Sequence, residues 1–375
     1  MDTIARSFRL VHADGGDWED LTGDCLAQLG LVPGSCNVGF VYVTDSLDED
    51  LQRILDRLRR ETRIHHWVGT IGFGICAGRR ELFDLSAMAV MVGALPKESF
   101  CVLPVVERPH QPLPADVQAW VAANRPVLGV VHADPRNPAL EALFASLQEQ
   151  TGCFLVGGLT ASRGALAQVA DEVTEGGVSG ILFGSDVPVV TGLSQGCSPI
   201  GPVHQVTGGR DNVIAALDHR PALEVFREDI GELLARDLKR VEGYVHAAIP
   251  IRGSDRADYL VRNLLGVFPE QGWVSIGERV SVGDSVMFVR RDGASATADL
   301  KRMVHDVRRR AGGPPRAAFY FSCVARGPNL FGRGSVELGT IADVLGEVPL
   351  IGFFANGEIS NGRLYGYTGV LALLM

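Results

Sequence analysis

Apolar positions along the chain fall into short unbroken runs, separated by stretches in which they recur every three or four residues. That is the signature of buried strands alternating with amphipathic helices. Val38 to Val43 is one such run, Leu47, Leu51, Ile54, Leu55 and Leu58 follow at helical spacing, Trp67 to Gly72 is a second strand, and Ala87 to Ala94 is a return strand. The order recurs with Val127 to Val131, a helix from about Pro138 to Gln150, a strand from Leu155 to Thr160 and a return strand from Val178 to Phe183. It recurs again near the C-terminus as Ala317 to Phe321, a helix-sized gap, Leu350 to Phe354, and Thr368 to Leu374. Gly69, Gly157 and Gly352 occupy corresponding places. Three βαββ modules built alike are therefore predicted. The crossover makes the first two strands of each module parallel, and the short link before the return strand makes that pairing antiparallel. The sheets are accordingly mixed and the fold class is α+β, with helices layered on sheets.

The remaining segments set the domain plan. Residues 1–34 read as a leader, with a short strand around Phe8 to His12 and a helix from Asp17 to Leu29 that breaks at Pro33 and Gly34. Beyond the second module, Val187 to Gln195 and Gly201 to Val206 read as antiparallel strands around the Gly- and Pro-rich loop Gly196 to Pro202. A helix starts at Pro221 and runs to about Val241; strands follow at 243–251, 259–263, 273–276 and 285–290, then a helix over 296–310. The turn Asp218 to Pro221 separates two kinds of organisation, so two domains are expected, residues 35–219 and 220–375.

Candidate chemistry gathers where the strands of the third module stop. Cys323, Arg326 and Gly327 follow the run at 317–321, and Asn356, Gly357 and Glu358 follow the run at 350–354, the end of a strand where α/β layouts place ligands. Tyr365 and Thr368 stand near the start of the last strand and offer hydroxyls to the same place. Arg326 can grip a carboxylate or phosphate in two-pronged fashion. If it meets Glu358 the pair is structural; if the two diverge they bracket a zwitterion such as an amino acid. Cys323 beside a cation is a candidate reactive thiol, although a catalytic thiol needs a base and no histidine is positioned by the sequence to serve. Glu81, Cys197 and His204 are secondary candidates, each with a structural alternative as a salt bridge or core residue.

Composition narrows the classes. With 46% hydrophobic and 21% charged residues the chain is globular, and a formal net charge of −9 gives no general reason to bind nucleic acid. No apolar stretch reaches the length of a membrane span, so a cytoplasmic location is expected. Seven cysteines without CxxC spacing point to reduced thiols rather than disulfides or a zinc site.

The motifs now on the page resemble a known family. Tyr259 to Gly266, Val289 to Asp292 with Ala298 to Leu300, Phe321 to Gly327, and Gly352 to Ile359 with Tyr367 and Thr368 look like the C-terminal FIST domain. Gly69 to Gly72 with Glu81, and Gly196 to Pro202 with Val206, Thr207, Asn212 and Arg220 to Ala222, are similar to the N-terminal FIST domain. Thr70 joins the secondary candidates as part of the first of these motifs. The resemblance covers residues 35 to 375 and implies a bacterial-type sensory protein that binds a small ligand, an amino acid or a related molecule. A stand-alone chain of this kind would signal through a separate partner such as a kinase or cyclase-type regulator. It also implies an alternative, since some FIST proteins are regarded as haem-binding sensors of nitric oxide; no cofactor is otherwise expected. An enzyme using Cys323 or Glu358 is the third reading, although no Ser/His/Asp order, metal-ligand pair or phosphate loop supports it.

Overall fold

The computed structural model describes residues 8–235, 243–251 and 259–375. In chain order the leader forms β1 (Phe8–Asp14) and α1 (Trp18–Leu29), and the first module forms β2 (Val38–Thr44), α2 (Leu51–Thr62), β3 (His66–Gly72), β4 (Gly74–Ala77), β5 (Arg80–Phe83) and β6 (Ala87–Gly93). The second module comprises β7 (Phe100–Val106), α3 (Ala115–Asn124), β8 (Leu128–Ala133), α4 (Leu140–Thr151), β9 (Phe154–Leu159), β10 (Gln168–Ala170), β11 (Glu172–Thr174) and β12 (Val178–Phe183). There follow β13 (Val189–Gln195), β14 (Cys197–Pro199), β15 (His204–Arg210), β16 (Val213–Leu217), β17 (Arg220–Pro221) and α5 (Ala222–Ala235). After these come β18 (Val245–Pro250), β19 (Tyr259–Phe268), β20 (Trp273–Ile276), β21 (Ser285–Arg291) and α6 (Gly293–Ala311). The third module is β22 (Ala317–Cys323), α7 (Pro328–Phe331), α8 (Val336–Leu345), β23 (Leu350–Ala355), β24 (Glu358–Ser360), β25 (Arg363–Tyr365) and β26 (Thr368–Leu374). The helix expected to reach Val241 is described as far as Ala235; the rest of that expectation lies outside the described residues.

Two compact units result. The larger holds the described residues up to Ser194 with Asp299–Leu364 and Thr368–Met375; the smaller holds those of Gln195–Ala298 with Tyr365–Tyr367. The turn at 218–221, taken from the sequence as a boundary, lies inside the smaller unit.

The larger unit is the α+β repeat that the pattern predicted. In each module the first two strands are parallel, β2 with β3, β8 with β9 and β22 with β23. The return strand runs antiparallel to the first, β6 on β2, β12 on β8 and β26 on β22. What the pattern did not show is that the link before each return strand is a hairpin given to another module. The hairpin β4–β5 extends β23, β10–β11 extends β3, and β24–β25 extends β9, so the exchange is cyclic. A further strand covers the other side of each return strand: β1 on β6, β7 on β12 and β13 on β26. Three six-stranded sheets result, each built from segments of more than one module. This corrects the reading of β13 and β15 as mutual partners, because β13 pairs with β26 while β15 pairs with β16 and β21.

Register explains the three matching glycines. Gly69, Gly157 and Gly352 stand opposite Val41, Val131 and Tyr320. A Cβ there would lie 1.7, 1.8 and 1.7 Å from the carbonyl oxygens of those residues, so the strands can approach only with glycine at the position. One step further along the first strands, Tyr42, His132 and Phe321 are equivalent residues that meet in the shared core with Phe353.

The smaller unit is a strand circuit, β21-β15-β16-β20-β19-β18, in which β18 also pairs with β21 and closes it. Leu223 and Phe226 of α5 pack with Val206, Ile214, Val274 and Phe288 in its core, leaving the barrel's apolar interior filled.

Candidate functional site

The end of β22 and the turns beside it collect the buried polar groups of the third module. Arg326 is fully buried, and its partner is Glu337, in the first turn of α8, rather than Glu358. Its Nε donates to Glu337 Oε1 at 2.7 Å, and the same oxygen accepts from the Tyr320 hydroxyl at 2.6 Å and the Ser322 hydroxyl at 3.0 Å. The Gly327 N–H donates to Glu337 Oε2 at 2.8 Å. The guanidinium also reaches the Ser194 carbonyl and hydroxyl at 3.4 Å and lies over the Phe331 ring at 5.1 Å. Gly327 has φ +51°, and a Cβ there would press on the Phe354 and Phe83 rings at 2.8 and 3.0 Å. The sequence missed Glu337, although an acid two residues after Ser335 and ahead of an apolar helical stretch marks a helix start.

Glu81 joins this cluster from β5. Its Oε1 accepts from the Leu338 N–H at 3.0 Å, so it caps the start of α8. Burial, with the like charge of Glu337 adding to it, pushes Glu81 up to about 7.

Glu358 stands apart from the arginine pair and is also fully buried. Its Oε2 accepts from the Thr368 N–H at 3.1 Å and from the Thr368 hydroxyl at 2.8 Å. The Cys323 thiol is near enough to favour the charged carboxyl, yet Oε1 makes no hydrogen bond of normal length and angle. Burial raises Glu358 to about 8 in spite of Thr368, Arg326 and Cys323. Of the other expected residues, Asn356 is exposed on the turn before β24, Gly357 holds φ +137° and accepts the Leu159 N–H at 2.9 Å, and Tyr365 closes β25 and belongs to the smaller unit.

The repeat supplies an internal comparison. Register makes Ile75, Gln168 and Glu358 equivalent, because their hairpin strands pair at the matching positions Phe353, Thr70 and Gly158. The first module has an apolar residue there. The second has Gln168, whose amide nitrogen donates to the Gly177 carbonyl at 3.1 Å and whose oxygen accepts from Ser179 at 2.6 Å. At this position the third alone has an acid, and its Oε1 is left open. The strand ends differ in the same way, with Thr44 tied to the Ala87 N–H, Asp134 tied to Arg136 and Gly176, and the thiol of Cys323 in the third place.

The remaining secondary candidates are not brought to this place by any described contact. Thr70 bonds Thr160 at 2.7 Å and the Ala167 carbonyl at 3.0 Å, which fastens β3 to the chain ahead of β10. Cys197 lies in the smaller unit, where its carbonyl accepts the Tyr259 hydroxyl at 2.5 Å. His204, also there, is bound at both ring nitrogens by carboxylates.

Cavities of about 390, 570 and 340 Å³ open elsewhere: the first between β1, α1 and the end of α8, the second beside α5 and Gly272, the third around Ile200, Asp229 and Arg290. None of the three is lined by a histidine. Buried His132 bonds the Tyr42 hydroxyl at 2.9 Å inside the aromatic core, and burial lowers it to about 3. Among the described residues no helix is long and apolar enough to cross a membrane.

Comparison with known proteins finds two family domains. Residues 37–220 match the FIST N domain and residues 222–361 the FIST C domain. The chain is similar to an uncharacterized protein of Mycobacterium tuberculosis, 35% identical over 326 residues, which is 82% of this chain and 83% of the relative. It is also similar to an uncharacterized protein of Mycobacterium bovis, 33% identical over 330 residues, 82% of each. The chain therefore belongs to the FIST family, whose domains are associated with sensory signal transduction.

Proposed function

We propose that the protein is a small-ligand-binding sensor that reads its ligand at the tip of the third module, beside Cys323 and Glu358, and passes the signal to a separate protein partner such as a kinase or cyclase-type regulator. The observation that carries this reading is Glu358 Oε1, a fully buried carboxyl oxygen with no hydrogen bond of normal length and angle, at a position where the other two modules carry Ile75 and Gln168. Leaving such a group unsatisfied costs about 1–3 kcal/mol, a cost that a bound donor removes. An amino acid or a related small molecule with an amino group suits it. Arg326 serves that site by holding Glu337 and the turn at Gly327, rather than by gripping the ligand's carboxylate itself.

A carboxyl poised near neutrality beside a thiol also suits proton transfer, so an enzyme using Cys323 or Glu358 is the second reading. Turnover of a substrate, lost in Cys323→Ser, would favour it over sensing.

The test is a thermal-shift screen of amino acids and small amines on the wild type and on Glu358→Gln. The second module carries Gln168 at the equivalent position, so the variant places a side chain the repeat already tolerates. A ligand is expected to raise the wild-type Tm and to leave Glu358→Gln unmoved. An equal response of both proteins to the same ligand would remove Glu358 from the site.

A further inference from the structure

The strongest unexplained cluster lies in the smaller unit. His204, at the start of β15, is buried to 7% exposure, and its two ring nitrogens face two different carboxylates. Nδ1 lies 2.6 Å from Asp218 Oδ2, in the turn between β16 and β17, and Nε2 lies 2.9 Å from Asp229 Oδ2 on α5. A neutral imidazole has one N–H and one lone pair, so it can satisfy only one of these partners; the other carboxylate would face a lone pair. Only the doubly protonated ring donates to both.

We propose that His204 is a proton-operated lock: as imidazolium it ties α5 to β15 and to the β16–β17 turn, and loss of its proton releases α5. The smaller unit then responds to proton concentration in a protein whose family senses signals.

The surroundings support a charged ring. Asp218 is fixed for the task by the Gln205 N–H, which donates to its other oxygen at 2.8 Å. Asp229 is itself 8% exposed, and a Cβ on Gly201 would collide with it, so the loop before β15 holds that carboxylate in place. Glu228 on α5 adds a third negative charge within reach of the ring, although it is mainly engaged by Arg220 together with Glu224. His219, next to Asp218, acts on that aspartate rather than on the ring. From β21 the ring meets the uncharged Phe288, at 6.5 Å between centroids. Burial alone would push His204 down, and the hydrogen bonds and charges of Asp218 and Asp229 carry it above the usual histidine value.

The sign follows from linkage. A histidine whose folded value exceeds its unfolded value of about 6.5 contributes stability that is fully present below about pH 6.5. That contribution is lost as pH rises through the folded value. Release has a structural consequence, because Asp229 and Ile230 form part of the wall of the 340 Å³ cavity with Tyr244 and Arg290. The neutral ring keeps one N–H; when that hydrogen sits on Nδ1, toward Asp218, the Asp229 carboxylate has no donor from the ring and α5 is free to shift at that wall.

The experiment uses the full chain labelled with nitrogen-15 at histidine. At pH 6 both ring nitrogens of His204 should show the shifts of protonated nitrogen, and one should move to the unprotonated range as pH rises toward 8.5. In parallel, Tm of the wild type minus Tm of His204→Gln should be positive at pH 6 and shrink by several degrees by pH 8.5. Hydrogen exchange of the amides at 222–231, corrected for its intrinsic pH dependence, should speed up in the wild type over the same range. If His204→Gln does not fold, Asp229→Asn serves instead, and should lower the pH at which the nitrogen shifts move. Neutral-imidazole shifts at pH 6, or a Tm difference that is flat from pH 6 to 8.5, would overturn the lock.

Discussion

At the scale of single residues, the pairing of Arg326 decides what that arginine does. Its five donors face a carboxylate, two hydroxyls and a carbonyl, and its plane rests on Phe331, so the charge is neutralised inside the larger unit. Removing one member of such a buried pair leaves the other charge without compensation, which costs about 3–5 kcal/mol. Arg326→Ala is therefore expected to lower the urea-unfolding free energy by roughly that amount. A variant as stable as the wild type, with only ligand binding lost, would return Arg326 to the role of anion receptor. Glu358 differs in kind: among the described residues it has no ion-pair partner, and burial raises it to about 8. The two buried acids lie 21 positions apart, Glu337 paired with Arg326 and Glu358 held by Thr368, and that contrast is the ground for proposing a structural role for the first and recognition for the second.

At the scale of elements, the sheets depend on glycines at one fixed step of each second strand. The Cβ of an alanine at Gly157 would stand 1.8 Å from the Val131 carbonyl oxygen, and at Gly352 1.7 Å from that of Tyr320. Backbone cannot yield as a flexible side chain can, so Gly157→Ala and Gly352→Ala should each cost more than about 3 kcal/mol, read by denaturant unfolding. Gly34→Ala, where nothing lies within 4 Å of the added atom, should stay within about 0.5 kcal/mol of the wild type. Equal effects at the three positions would refute the close-approach account of the repeat. The long strands of the three modules were legible because both faces of each are buried, giving continuous apolar runs. The hairpins were not legible. Gln168–Ala170 and Glu358–Ser360 have three residues each, too few for periodicity, and their partners belong to a different module.

At the scale of the whole molecule, cyclic exchange makes each sheet of the larger unit a joint product of modules far apart in sequence, so the strand ends that carry chemistry are placed by pairings no local pattern shows. Of the residues the pattern singled out, Cys323 and Thr368 lie beside Glu358, while Gly327 binds Glu337. The pattern could not give Arg326 its partner, because Glu337 lies 11 residues on, in a helix whose rotation about its axis is set by packing rather than by spacing. Nor could it separate the acid at Glu358 from its equivalents Ile75 and Gln168, a comparison that exists only once register is known. The smaller unit adds a closed barrel with its own titratable lock, and the family's association with sensing gives both features a common context.

Sensing through Glu358 is the central claim, and native mass spectrometry tests it most directly when the wild type and Glu358→Gln are purified side by side from the protein's own host. The wild type should carry a small non-covalent mass that is absent from the variant. The same bound mass on both proteins, or none on the wild type under conditions that keep it folded, would contradict it.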